Sequence, residues 1–154
     1  MKLTHWMSGV ALAGGLAVSA ALPAHAAMHE KVTLTDANGA MKVIAAKKTL
    51  KAGKVTFDVT NLPTSASEHE MIVAKLTKAQ EAHPDQLPYD ENAARVYEEK
   101  INDRGEVSEL QPGHSGSLTL ELKPGAYILF CNVPGHYKSG MYTVVHVTGT
   151  DGNS

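Results

Sequence analysis

The sequence predicts an all-β, antiparallel sandwich. Apolar and polar residues alternate in several short runs, and those runs are separated by turn signals such as Asp36-Ala37-Asn38-Gly39 and Lys123-Pro124-Gly125. Helical periodicity is confined to one polar excursion.

The first expected strand carries Val32 and Leu34, and residues 41–45 form the second. Ala52-Gly53 introduces a third, in which Val55, Phe57 and Val59 alternate with Lys54, Thr56, Asp58 and Thr60 until Asn61-Leu62-Pro63 ends it. Residues 70–76 are a further apolar strand. Residues 77–111 read as the helical excursion. Thr77 and Gln80 have capping-box spacing, and Pro84 and Pro88 break the chain. Asp90 would cap a second helix carrying Ala93, Ala94, Tyr97 and Ile101 as its stripe, with Gly105 stopping it. The excursion holds 4 basic and 9 acidic residues, which marks it as a solvated face. Leu118, Leu120 and Leu122 then alternate with polar partners, and residues 126–131 and 141–148 close the chain as two strands. Five lysines (Lys42, Lys47, Lys48, Lys51, Lys54) crowd one region, where they would protect a sheet edge.

Residues 1–26 read as an export leader: Lys2 is the positive start, residues 10–22 are apolar, and Ala24-His25-Ala26 is a small-x-small cleavage pattern. The apolar run is short for a membrane span and contains Gly14, Gly15 and Ser19. Cleavage would leave 27–154 as a single domain of 128 residues, enough for a proper core, acting in a bacterial periplasm with no membrane span and as a monomer. A net charge of −2 and 5% aromatic residues argue against nucleic-acid binding. The single cysteine excludes an intramolecular disulfide and any four-cysteine metal site.

That cysteine carries the chemistry. An apolar strand delivers Cys131, a Pro134-Gly135 turn presents His136, and Met141 opens the next strand. Upstream, His69 starts a strand after the 63–67 loop. Two histidines and a cysteine with a weak methionine ligand match a blue-copper electron-transfer site. Cu(I) favours sulfur and low coordination and Cu(II) favours nitrogen, so a site between the two rearranges little on electron transfer. Zinc could take the same donors but rarely uses a thioether. A cysteine-protease dyad would need an orienting group and a cleft that nothing supplies.

The chain resembles the cupredoxins, the plastocyanin/azurin-like small blue copper proteins, over roughly residues 31–148. The loop Cys131-x4-His136-x4-Met141 is the specific part. The resemblance implies a cupredoxin-like Greek-key β-sandwich of eight strands with a short helical insertion (about residues 77–111). One copper ion would sit at its end, held by His69, Cys131, His136 and axial Met141. His136 would be the solvent-edge ligand. Val133, Pro134, Gly135 and Tyr137 would form an apolar rim on which a redox protein docks. Glu68 and Glu70 flank His69 where the family's electron carriers usually have small or amide residues, a departure similar to periplasmic cupredoxins of copper tolerance. By the same resemblance Glu70 and Asn132 would tether the upstream histidine to the cysteine loop.

Two functions remain open on the residues: a periplasmic one-electron carrier, and a periplasmic copper-buffering protein using the same site. A copper nitrite reductase or multicopper oxidase would need paired histidines, and no His-x-His occurs, so no enzyme is expected. Among the other histidines, His146 is expected to face away from the site, and His83 and His114 to be solvated. Met71 should pack in the core. Ala27-Met28-His29, if it became the mature N-terminus, could offer an amine, two amides and an imidazole to Cu(II).

Overall fold

The computed structural model describes residues 26–149, and the leader reading, except for Ala26, lies outside them. The strands are β1 (Met28–Thr35), β2 (Lys42–Ala45), β3 (Thr49–Lys51), β4 (Gly53–Asn61) and β5 (His69–Lys75). Helix α1 (Lys78–Ala82) follows, then β6 (Tyr89–Asp90), β7 (Arg95–Val96), β8 (Asn102–Leu110), β9 (Ser115–Leu122), β10 (Gly125–Phe130) and β11 (Tyr142–Thr148). One sheet runs β2-β1-β4-β9 and the other β3-β11-β10-β5-β8, with β6-β7 as a separate ribbon. The sandwich is therefore as expected. Two pairs are parallel, β1 with β4 and β11 with β3, where wholly antiparallel pairing was expected. The cause is the short crossing at Ala46 to Lys48. There the Ala46 N–H donates to Lys31 O in one sheet, and Lys48 O accepts from His146 N in the other, so β2 and β3 edge different sheets.

Between the sheets lies a core containing Leu34, Phe57, Val59, Met71, Leu129 and Val145, with Met71 fully buried as expected. Where β8 of one sheet meets β9 of the other, Gly116 allows the approach, because a methyl group there would lie 2.5 Å from the Val107 Cγ1.

The second sheet is buried on both faces. Ile72 and Ala74 of β5 and Ala126, Ile128 and Phe130 of β10 point outward, yet they are covered together with Leu87, Val96 and Tyr137. This explains the near-continuous apolar runs at 70–76 and 126–131, the pattern of strands covered on both sides. The cover is the excursion itself. Burying Ile72, Ile128 and Phe130 stabilises the fold by roughly 1.5–3 kcal/mol each.

The excursion differs from its expectation. Helix α1 forms with the Thr77–Gln80 capping box, but the second helix does not. The Asp90 carboxylate accepts the Asn92 and Ala93 N–H groups in a tight turn, and Ala94 takes a left-handed φ of 54°, which no helix continues through. Residues 102–110 become edge strand β8, with only Val107 and Leu110 buried. Gly105 lies inside this strand instead of ending a helix. None of the described helices is long and apolar enough to cross a membrane.

Candidate metal centre

The site forms at the end of the sandwich where β5 begins and β10 ends. These neighbouring antiparallel strands place His69, the first residue of β5, beside Cys131, the residue after β10. The 132–141 loop then folds back on itself. His136 N donates to Val133 O, Met141 N to His136 O, and Cys131 N to Met141 O, all at 2.9–3.0 Å. Gly135 makes the reversal at φ +82°, a conformation that side chains resist.

The donors converge. His69 Nδ1 lies 3.3 Å from His136 Nδ1, and Cys131 Sγ lies 3.9 and 3.5 Å from those nitrogens. Together they are the only such cluster of three or more His, Cys, Asp or Glu donors among the described residues. An ion about 2.0 Å from each nitrogen and about 2.3 Å from the sulfur spaces its donors by about 3.3–3.8 Å. The observed spacing fits that requirement, and the soft–borderline donor set suits copper. Met141 is fully buried in the core cluster that holds Cys131, and its backbone is bonded to both Cys131 and His136.

Burial controls the protonation of these groups. It pushes the Cys131 thiol from 9.0 up to about 11, against the opposing backbone N–H bonds from Glu70 and Val133. The Glu70 N–H reaches Sγ at 3.5 Å. Burial also lowers both histidines, His69 against the attraction of the Asp36 carboxylate, so both imidazoles favour the neutral, metal-ready form. A measurable consequence follows for the metal-free protein. Between pH 9 and 11 the unfolded chain has lost the thiol proton while the folded chain keeps it. Stability therefore falls as pH rises through that window, by about 3 kcal/mol. Tyr137, raised by burial to about 12, adds a loss of the same sign between pH 10 and 12. Urea unfolding at pH 8.5 and 10.5 should show a smaller drop for Cys131→Ala than for the parent protein. Equal drops would contradict the thiol assignment.

Several expectations about the surroundings change. Glu70 does join Asn132 of the cysteine loop, but through the Asn132 backbone N–H and not through its side chain. The Asn132 amide accepts from Val96 N (2.7 Å) and donates to Val96 O (3.1 Å) and Glu98 Oε1 (2.8 Å), so it grips the excursion. The Glu70 carboxyl meets the backbone N–H of Asn132 and stands 3.9 Å from Arg95. Burial, then Glu106, raises its pKa. Glu68 accepts a hydrogen bond from Gln111. Tyr137 is buried and not part of an exposed rim, because its hydroxyl donates to Pro84 O (2.6 Å) and accepts from Leu87 N (2.9 Å). Pro134 is exposed, with Val133, Gly135 and His136 half-buried around it. His146 is exposed and points away from the site, 3.6 Å from Glu81, and His83 and His114 are exposed. Met28 and His29 lie in β1, in register with Val55 and Thr56, and the His29 ring pairs with Asp58 at 2.8 Å. Wrapping that segment around Cu(II) requires it to leave the sheet.

Two supporting residues were not singled out from the sequence. Asn61, read as a strand end, is fully buried and donates to Ser67 O and Leu110 O, which pins the loop before His69. Asp36, read as a turn residue, stands behind the His69 ring with its Oδ1 3.7 Å from Nε2. Their spacing from His69 carries no periodic signal.

Residues 30–148 match the profile of the copper-binding plastocyanin/azurin family. The chain is a cupredoxin. Cupredoxins bind one copper, and the His69–Cys131–His136 cluster has the composition typical of a type 1 site. Auracyanin A, a "blue" copper protein from the green thermophilic photosynthetic bacterium Chloroflexus aurantiacus, shares 22% identity with this cupredoxin. Its TM-score is 0.57, over 80% of this chain and 100% of that one. Rusticyanin from Thiobacillus ferrooxidans is 18% identical, with a TM-score of 0.53 over 78% and 76% of the two chains. An azurin from Methylomonas sp. strain J is 17% identical, with a TM-score of 0.51 over 82% and 100%. At these identities the likeness is one of fold. No curated protein sequence matches significantly.

Proposed function

We propose that this cupredoxin is an exported, periplasmic one-electron carrier that holds a single copper through His69, Cys131 and His136, with Met141 as the weak axial ligand. The convergence of two imidazole nitrogens and one thiol at 3.3–3.9 Å carries this reading. Bound copper supplies a one-electron Cu(II)/Cu(I) couple. The protein's part is to keep the donors in place through both states. Cys131 is held by its strand, by the Glu70 and Val133 N–H groups and by the Met141 carbonyl. His69 is sealed, with 0% exposure, while His136 is half-buried. The solvent edge of His136 is therefore the short route out. A redox partner would dock there against Val133, Pro134 and Gly135. The leader pattern at residues 1–26 supports export.

Copper buffering is the second reading, prompted by the glutamates beside His69. Glu68 and Glu70 are engaged with Gln111 and with Arg95 and the Asn132 backbone, which favours the carrier. Copper titration of the mature, metal-free protein separates the two readings. Colour and bound metal should both saturate at one equivalent. Further colourless copper would favour buffering, and a colourless first equivalent would overturn both.

A further inference from the structure

The best-placed polar group outside the donor set is Asp36, at the end of β1. It is 6% exposed. Its Oδ1 accepts the Ala66 N–H at 2.7 Å, and the Ser67 side chain hydrogen-bonds the same carboxylate. That Oδ1 also faces His69 Nε2 at 3.7 Å, beyond a hydrogen bond but close enough for strong electrostatic attraction where both groups are buried. His69 Nε2 is buried and has no hydrogen-bond partner, so the carboxylate is the group its N–H would address. The opposite ring nitrogen, Nδ1, is the one aimed at Cys131 and His136.

We propose that Asp36 is a positioning residue for His69. Its carboxylate holds the imidazole proton on Nε2, leaves Nδ1 free as donor, and biases the site toward the more highly charged Cu(II). The proposal rests on reading His69 as a ligand. The physical reason is that a ligand imidazole whose far N–H faces a negative charge becomes a stronger donor, and removing such a partner typically costs roughly 10–100-fold in metal affinity. A negative charge also stabilises Cu(II) more than Cu(I). Asp36 is tied to the loop before His69 as well as to the ring, so one side chain sets both where the histidine stands and which nitrogen it presents.

Asp36→Asn tests this, because the amide removes the charge, keeps an oxygen for the Ala66 N–H and turns its NH2 to the Ser67 hydroxyl, which can accept as well as donate. Cu(II) affinity should fall about 10-fold or more with Cu(I) affinity much less changed. Each tenfold change in that ratio raises the reduction potential by about 59 mV. Equal losses for both ions, or no loss, would overturn the proposal, since a merely structural role weakens both alike. Should D36N fail to fold, NMR of the parent Cu(I) protein decides. A His69 Nε2 proton protected from solvent exchange supports the carboxylate contact, and a proton on Nδ1 or one in fast exchange overturns it. If the parent protein binds copper without a thiolate band, the ligand reading itself has failed, whatever the variant does.

Discussion

Cys131→Ala, loaded with Cu(II), should lose the intense visible absorption of the parent protein entirely. The band requires a thiolate bonded to Cu(II), and Cys131 is the chain's only cysteine. His69 and His136 remain 3.3 Å apart and would still hold Cu(II), weakly and nearly without colour. The metal-free fold should survive. Cys131 is fully buried but small, so truncation to alanine costs about 1 kcal/mol, of the order of removing one buried methyl group. Absorption and bound-metal analysis on the same samples check this. A variant that keeps the intense band would remove Cys131 from the site.

The second large effect concerns Tyr137, the neighbour of His136. Its ring packs against Phe130, Tyr142 and Tyr89, with centroids 5.8, 5.5 and 6.0 Å away. Its hydroxyl joins Pro84 O and Leu87 N. Together with the Asn132 contacts and the Gly135 N–H donated to Ala94 O at 2.8 Å, this clamps the metal loop to the excursion at three residues. Tyr137→Phe keeps the ring but strands a buried N–H and a carbonyl, at a cost of about 2–3 kcal/mol. Tyr137→Ala adds a cavity and should cost about 4–5 kcal/mol. Urea unfolding of the metal-free proteins measures both. Hydrogen exchange in residues 84–97 should speed up in the alanine variant, because the excursion loses its anchor. If Tyr137→Phe matched the parent within 0.5 kcal/mol, the hydroxyl contacts would not be holding the loop.

The second sheet shows what a sequence makes legible. Alternation is strong at 55–59 and 118–122, where one face of the strand is core, and β4 and β9 lie where expected. It disappears in β5 and β10, which are covered on both faces, but their continuous apolar runs still read as strands. Strand β8 offered neither signal. It sits at a sheet edge with two inward residues, Val107 and Leu110, separated by an irregular register against β5. The helical stripe of Ala93, Ala94, Tyr97 and Ile101 failed for a different reason. Tertiary bonds override it, with Ala94 O taken by Gly135 and both backbone groups of Val96 by Asn132. The Cys131–His136–Met141 spacing survives in sequence because one hairpin loop contains it. His69 was found as a histidine opening a strand. Asp36 had no such mark, since its role exists only once β1 and β5 have come together.

The hairpin origin of the donors also affects what a thermal-shift experiment on copper loading would measure. Cys131 and His136 are five residues apart on one loop, whereas His69 arrives from 62 residues upstream of the cysteine. An unfolded chain keeps the first two within reach of each other and loses only the third. Denatured protein would therefore compete for the ion with two of the three strong donors proposed here. The rise in melting temperature on loading reports the difference between native and denatured affinities, and it understates how tightly the folded site holds its metal.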